Sequence, residues 1–148
     1  MRIKCFHFCE SVIFRDLGRY DINGIKTSVI APFAPFQVDS AVIFMVIEMN
    51  ISDGLVPPSI MLGLVSEDAE YHYTVKLPQS GVQVQFPNGA TKTDLIVDRV
   101  IEKMEFPAFG VFSWEIYLNG ELQDFETPLY FLKGDPSSPF PFAGQGID

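Results

Sequence analysis

Residues Phe109 to Gly120 read FGVFSWEIYLNG, and this stretch constrains the fold more than any other. Phe112, Trp114, Ile116 and Leu118 alternate with Ser113, Glu115 and Tyr117, which is the period of a strand with one face in a core. Asn119-Gly120 then supplies the positive φ angles of a type I′ turn, so a hairpin is expected. A two-residue turn sets Trp114 opposite Phe125 and Phe112 opposite Thr127. A three-residue turn pairs Ile116 with Leu122 and puts Asp124 beside Trp114. The first register buries more aromatic surface and is preferred, although it leaves Gln123 near the core edge.

Strand-like alternation continues elsewhere. Lys4 to Ile13 is expected as a first strand, with Phe6 and Phe8 on one face and Cys5, His7 and Cys9 on the other. RDLGRYDING, residues 15–24, has turn composition, and a second strand is expected around Ile25 to Ile30. APFAP breaks that ladder, because proline donates no backbone hydrogen bond. Ser40 to Met49 contains AVIFMVIEM and is expected as a central strand covered on both faces. Further strands are expected at Ser59 to Ser66, Tyr71 to Leu77 and Gly81 to Phe86. Ile96, Val97, Val100, Ile101 and Met104 recur at three to four residues, so 94–104 is either one amphipathic helix or an irregular strand. About eight strands without strand–helix alternation predict an all-β fold, an antiparallel two-sheet sandwich of about 7–9 strands. Residues 1–133 form the expected β-sandwich domain, and 134–148 (GDPSSPFPFAGQGID) a Pro/Gly-rich C-terminal tail.

Composition supports one domain able to bury a core. The 148 residues are 47% hydrophobic and 20% charged, and fourteen Phe favour a pleated surface. Ten basic against nineteen acidic residues give a formal charge of −9. Nucleic acid and anionic membrane partners are therefore not expected, since both need clustered Lys and Arg. Met1-Arg2 leads directly into a strand pattern with no export signal, and the longest apolar run, Ala41 to Ile47, is far below the roughly 20 residues of a membrane helix. With two cysteines and no visible signal peptide, a reducing, cytoplasmic setting is expected.

Candidate chemistry is sparse. Cys5, His7 and Cys9 share a strand face, and His72 could add a ligand. In an extended strand, however, Cys5 and Cys9 lie about 13 Å apart, too far to share zinc at about 2.3 Å per sulfur or to form a disulfide. The only two histidines sit between aromatic residues, and neither a nucleophile elbow nor a phosphate-binding loop is present. No catalytic residues, no cofactor and no enzymatic activity are expected. Asp16, Asp21, Asp53, Glu67 and Asp68 fall in turns without the spacing that converges on calcium. Trp114 shares its face with Phe112 and Ile116 and is expected in the core, whereas Tyr117 and Tyr130 fall on the opposite face. Tyr117 and Tyr130, with Phe140 and Phe142 of the tail, are the candidate interaction residues, since exposed tyrosines anchor interfaces.

Two stretches carry a family resemblance. FCESVIFRDLGRYDINGIKTSV and FGVFSWEIYLNGELQDFETPLYFL resemble the opening and closing hairpins of an uncharacterised bacterial and phage-associated family of small immunoglobulin-like β-sandwich proteins. The likeness spans residues 3–133, with Cys9-Glu10 where that family has Cys-Asp. It implies an immunoglobulin-like sandwich and brings no activity. Gly110-x-Phe112-x-Trp114 stands where true immunoglobulin domains carry Gly-x-Tyr-x-Cys, so their tyrosine corner and inter-sheet disulfide are absent. The reading that results is a non-enzymatic binding or assembly module acting through a protein partner or as a homo-oligomer. A carbohydrate- or small-ligand-binding module, or a hydrolase with a site around His7 and His72, are the alternatives.

Overall fold

The computed structural model describes residues 1–16, 19–78 and 83–137. The described chain is all-β, with one 3-10 turn at Ile51–Asp53 and no α-helix. In chain order the strands are β1 (Arg2–Cys9), β2 (Ser11–Phe14), β3 (Tyr20–Asn23), β4 (Ser28–Ala31), β5 (Phe36–Asn50), β6 (Ile60–Ser66), β7 (Tyr71–Leu77), β8 (Lys92–Phe106), β9 (Gly110–Leu118), β10 (Glu121–Leu122) and β11 (Pro128–Lys133). A small sheet has the order β1-β5-β8, and a larger one runs β4-β11-β9-β6-β7 with β10 also on β9. The larger sheet curls into a half-barrel. Strands β2 and β3 form a separate hairpin.

Both sheets contribute to one apolar core. Ile43, Met45 and Ile47 of β5 and Leu62, Leu64 and Ile116 of the larger sheet are fully buried. Trp114 is one point of contact between the sheets: its ring centroid lies 6.0 Å from that of Phe6 and 5.8 Å from that of Phe8. At one end Phe131 packs against Phe106 and Phe109, each at 4.8 Å. Among the described residues no polar or charged residue is buried, so the interior depends on shape and apolar area.

Three expectations need correction, and the alternative left open at 94–104 is decided. The first strand is interrupted at Glu10, and its second half leaves the small sheet to pair with Tyr20–Asn23, which the turn-like composition had hidden. Its ring pairs explain the detour: Tyr20 lies 5.4 Å from Phe44 and covers the outer face of β5. The strand expected at Gly81 to Phe86 lies partly outside the described residues, and 83–86 are not a strand. The ambiguous segment 94–104 is strand. Its helix-like spacing comes from a change of phase at Lys103, whose φ is +56°. Val97 and Ile101 face inward before it, and Met104 and Phe106 after it. β5 changes phase at the facing position: Ala41 opposes Ile101 and Val38 opposes Met104, with exposed Ser40 and Glu102 paired between them.

The third correction concerns the last hairpin. The type I′ turn forms, with φ of 51° at Asn119 and 81° at Gly120. Leu122 pairs with Tyr117, as a two-residue turn requires, but Pro128 then pairs with Ser113. Four positions on β9 therefore oppose six on the returning chain, and Trp114 faces Thr127 rather than Phe125. An even slip keeps every side chain on its own face. It places Leu129 opposite Phe112 and Phe131 opposite Gly110, and both become fully buried. Phe125 remains half-buried against the core from the loop.

Candidate binding surface and cleft

The residues that catalysis or metal binding would use stay apart. His7 stacks over Phe44 on the outside of the small sheet, at 6.5 Å. His72 meets Phe112 edge-on at 5.6 Å in the larger sheet. Cys5 is half-buried and Cys9 buried, where its Sγ donates to the Val42 carbonyl at 3.4 Å; burial pushes both thiols up. Among the described residues no three His, Cys, Asp or Glu side chains are placed to hold a metal ion. The turn carboxylates have local partners: Asp16 pairs with Arg19 and Asp21 with Arg15. Asp53 accepts from the Asn50 N–H at the start of the 3-10 turn.

The outer face of the larger sheet presents a different arrangement. Leu122, Tyr117, Met61 and Lys76 lie in register across β10, β9, β6 and β7. At about 4.8 Å per strand the row spans roughly 14 Å. Leu122 is 55% exposed and Met61 40%, while Tyr117 is half-buried. Next to the row, Tyr71 donates its hydroxyl to the Glu115 carboxylate and lies 2.7 Å from the Tyr117 hydroxyl, which also donates to Glu115 at 2.9 Å. Bonding to Glu115, then to Tyr117, holds the Tyr71 phenol well above its ordinary range. Gly63 makes this possible, since a Cβ there would lie 2.7 Å from the Tyr71 ring.

Tyr117 therefore sits at a surface as expected, but its hydroxyl is already engaged. Tyr130 is exposed opposite Val111, six residues along β9 and so about 20 Å from Tyr117; the two do not share a patch. Phe140 and Phe142 lie outside the described residues. Sequence reasoning missed Tyr71 as a surface residue. The available clue was Gly63, an isolated glycine inside a strand, which marks a close approach by a neighbour.

A separate space lies beside Trp114. A cleft of about 270 Å³ opens between β1 and β11, lined by Phe6, Phe8, Trp114, Thr127 and others. The Gly24–Ser28 connection crosses it, with Lys26 N–H donating to Phe8 at 2.7 Å and Tyr130 N–H to Thr27 at 3.0 Å. Trp114 Nε1 and Thr127 Oγ1 are buried without a hydrogen-bond partner in the protein. Such an atom costs about 1–3 kcal/mol when nothing satisfies it.

Residues 4–131 match DUF6941, a family of unknown function. The chain belongs to the DUF6941 family. No curated protein matches it. The match covers every residue of the outer row and of the Trp114 cleft, so both lie within the DUF6941 domain. No helix among the described residues is long and apolar enough to cross a membrane.

Proposed function

We propose that this DUF6941 domain is a non-enzymatic immunoglobulin-like β-sandwich that acts through protein–protein contact, with a second copy of the chain as its partner. The strand order supports the immunoglobulin-like reading. β1-β5-β8 face β4-β11-β9-β6-β7, and β4 lies parallel to the last strand β11. The separation of His7 from His72 supports a role without catalysis. The free thiols support a cytoplasmic setting, and the −9 charge argues against nucleic acid and anionic membranes.

The observation that carries the contact is the row Leu122–Tyr117–Met61–Lys76. Met and Tyr are enriched in interfaces, and the Leu122, Tyr117 and Met61 side chains aligned across three strands give a contiguous surface that a second copy can cover. Its ends are complementary. Lys76, which has no ion-pair partner among the described residues, is at one end, and acidic Asp124 lies near the other. Two copies related by a two-fold axis would set each cation against the other's acid. Amide NMR spectra recorded on dilution test this. Shifts confined to residues around Met61, Tyr117 and Leu122 support the interface; shifts elsewhere, or none, refute it.

A further inference from the structure

We propose that the cleft beside Trp114 binds a small neutral molecule of one or two rings that carries a hydrogen-bond acceptor such as a carbonyl. The site is independent of the dimer face: it lies between β1 and β11, whereas the outer row runs across β10, β9, β6 and β7.

Three observations define the ligand. The cleft volume, about 270 Å³, exceeds the roughly 150 Å³ that suffices for a benzene ring, so a ring with a substituent fits. Its inner wall is aromatic, with the rings of Phe6 and Phe8 set against Trp114. Flat apolar surfaces of this kind receive rings by offset or edge contact. Finally, Trp114 is only 2% exposed, yet its Nε1 has no acceptor. An indole N–H can only donate, and Thr127 Oγ1, also unpartnered, can donate as well. Both residues line the cleft, and a ligand carbonyl admitted there would give such a donor an acceptor. The mouth carries Lys26 and Glu126, one charge of each sign, which favours a neutral ligand over an anion or cation.

The walls are also held in place before binding. Lys26 is fixed to β1, and Thr27 to β11, by backbone hydrogen bonds, so the connection that frames the cleft is tied to both sides. A framed cleft loses less entropy on binding than one that must form around its ligand.

The single tryptophan makes the test direct, because the 15N-labelled full chain gives one indole N–H resonance. Titration with 4-fluorobenzamide is expected to move that resonance saturably. Fluorobenzene, which lacks the carbonyl, should bind about fivefold more weakly. Thr127→Val should remove most of the preference for the amide, and Thr127→Ser, which keeps the hydroxyl, should retain it. If Thr127→Val does not fold, the two probes on the native chain and on Thr127→Ser decide. An indole resonance unmoved to the solubility limit, or equal affinity for both probes, would overturn the proposal. So would a folded Thr127→Val protein with the preference intact.

Discussion

Trp114 donates its backbone N–H to the carbonyl of Thr127 at 3.1 Å, two residues beyond the partner that the Asn119-Gly120 turn alone would give it. The ladder thus fixes Trp114 firmly and leaves Phe125 in a loop. Truncating the two rings should have unequal effects. Trp114→Ala removes a ring packed on Phe6 and Phe8 and is expected to cost about 3–5 kcal/mol. Phe125→Ala, at a half-buried loop position, should cost about 1 kcal/mol. Urea unfolding of both variants checks this, and equal losses would mean that Phe125 holds the position in the ladder.

The Tyr71 phenol, bonded to Glu115 and Tyr117, has its pKa raised above the ordinary 10.0. A raised folded-state value stabilises the fold fully below the unfolded value, and that contribution disappears as pH rises through the folded one. The ultraviolet phenolate titration should therefore show a late-ionising tyrosine. Glu115→Gln should bring its ionisation to lower pH. Gly63→Ala should do the same by displacing the ring, with a stability loss of about 1 kcal/mol. Unaltered titration curves in both variants would remove Tyr71 from the network.

The face of each residue was legible in the sequence; which partner it met was less so. Alternation alone put Phe112, Trp114 and Ile116 in the core, where they are, and set Phe6 and Phe8 on one shared face, which is the buried one. It could not detect the slip between Leu122 and Pro128, because a two-residue slip leaves every residue on its own face. At Lys103 the opposite occurred. A one-residue change of phase, matched on β5, placed Ile101 and Met104 three apart on the same side and imitated a helix.

Glu48 accepts from Arg2 at 3.1 Å and lies 3.7 Å from Lys92, which together hold its carboxyl below the ordinary 4.5; the Arg2 hydrogen bond is the main cause. A depressed folded value stabilises above the unfolded one and is lost as pH falls through the folded value. Arg2→Gln should thus be slightly less stable than the native chain at neutral pH and equal to it in strong acid. Because Arg2 is largely exposed, added salt should also narrow the gap. A gap that persists in acid would contradict the pairing.

Cys5 and Cys9 should differ in reactivity. Burial raises both thiols, so little thiolate forms at neutral pH, and Cys9 is fully enclosed. Timed labelling with iodoacetamide should modify Cys5 slowly and Cys9 only at the rate of unfolding. Rapid labelling of Cys9 under native conditions would show that the β1 end opens readily.

Sedimentation of the full chain over a range of concentrations tests the proposed function most directly. The account predicts a mass that rises from 16.6 kDa toward twice that value, and a return to 16.6 kDa when Met61→Glu and Leu122→Glu are combined. A native chain that stays at 16.6 kDa at every concentration, or an association unaffected by those two substitutions, would contradict it.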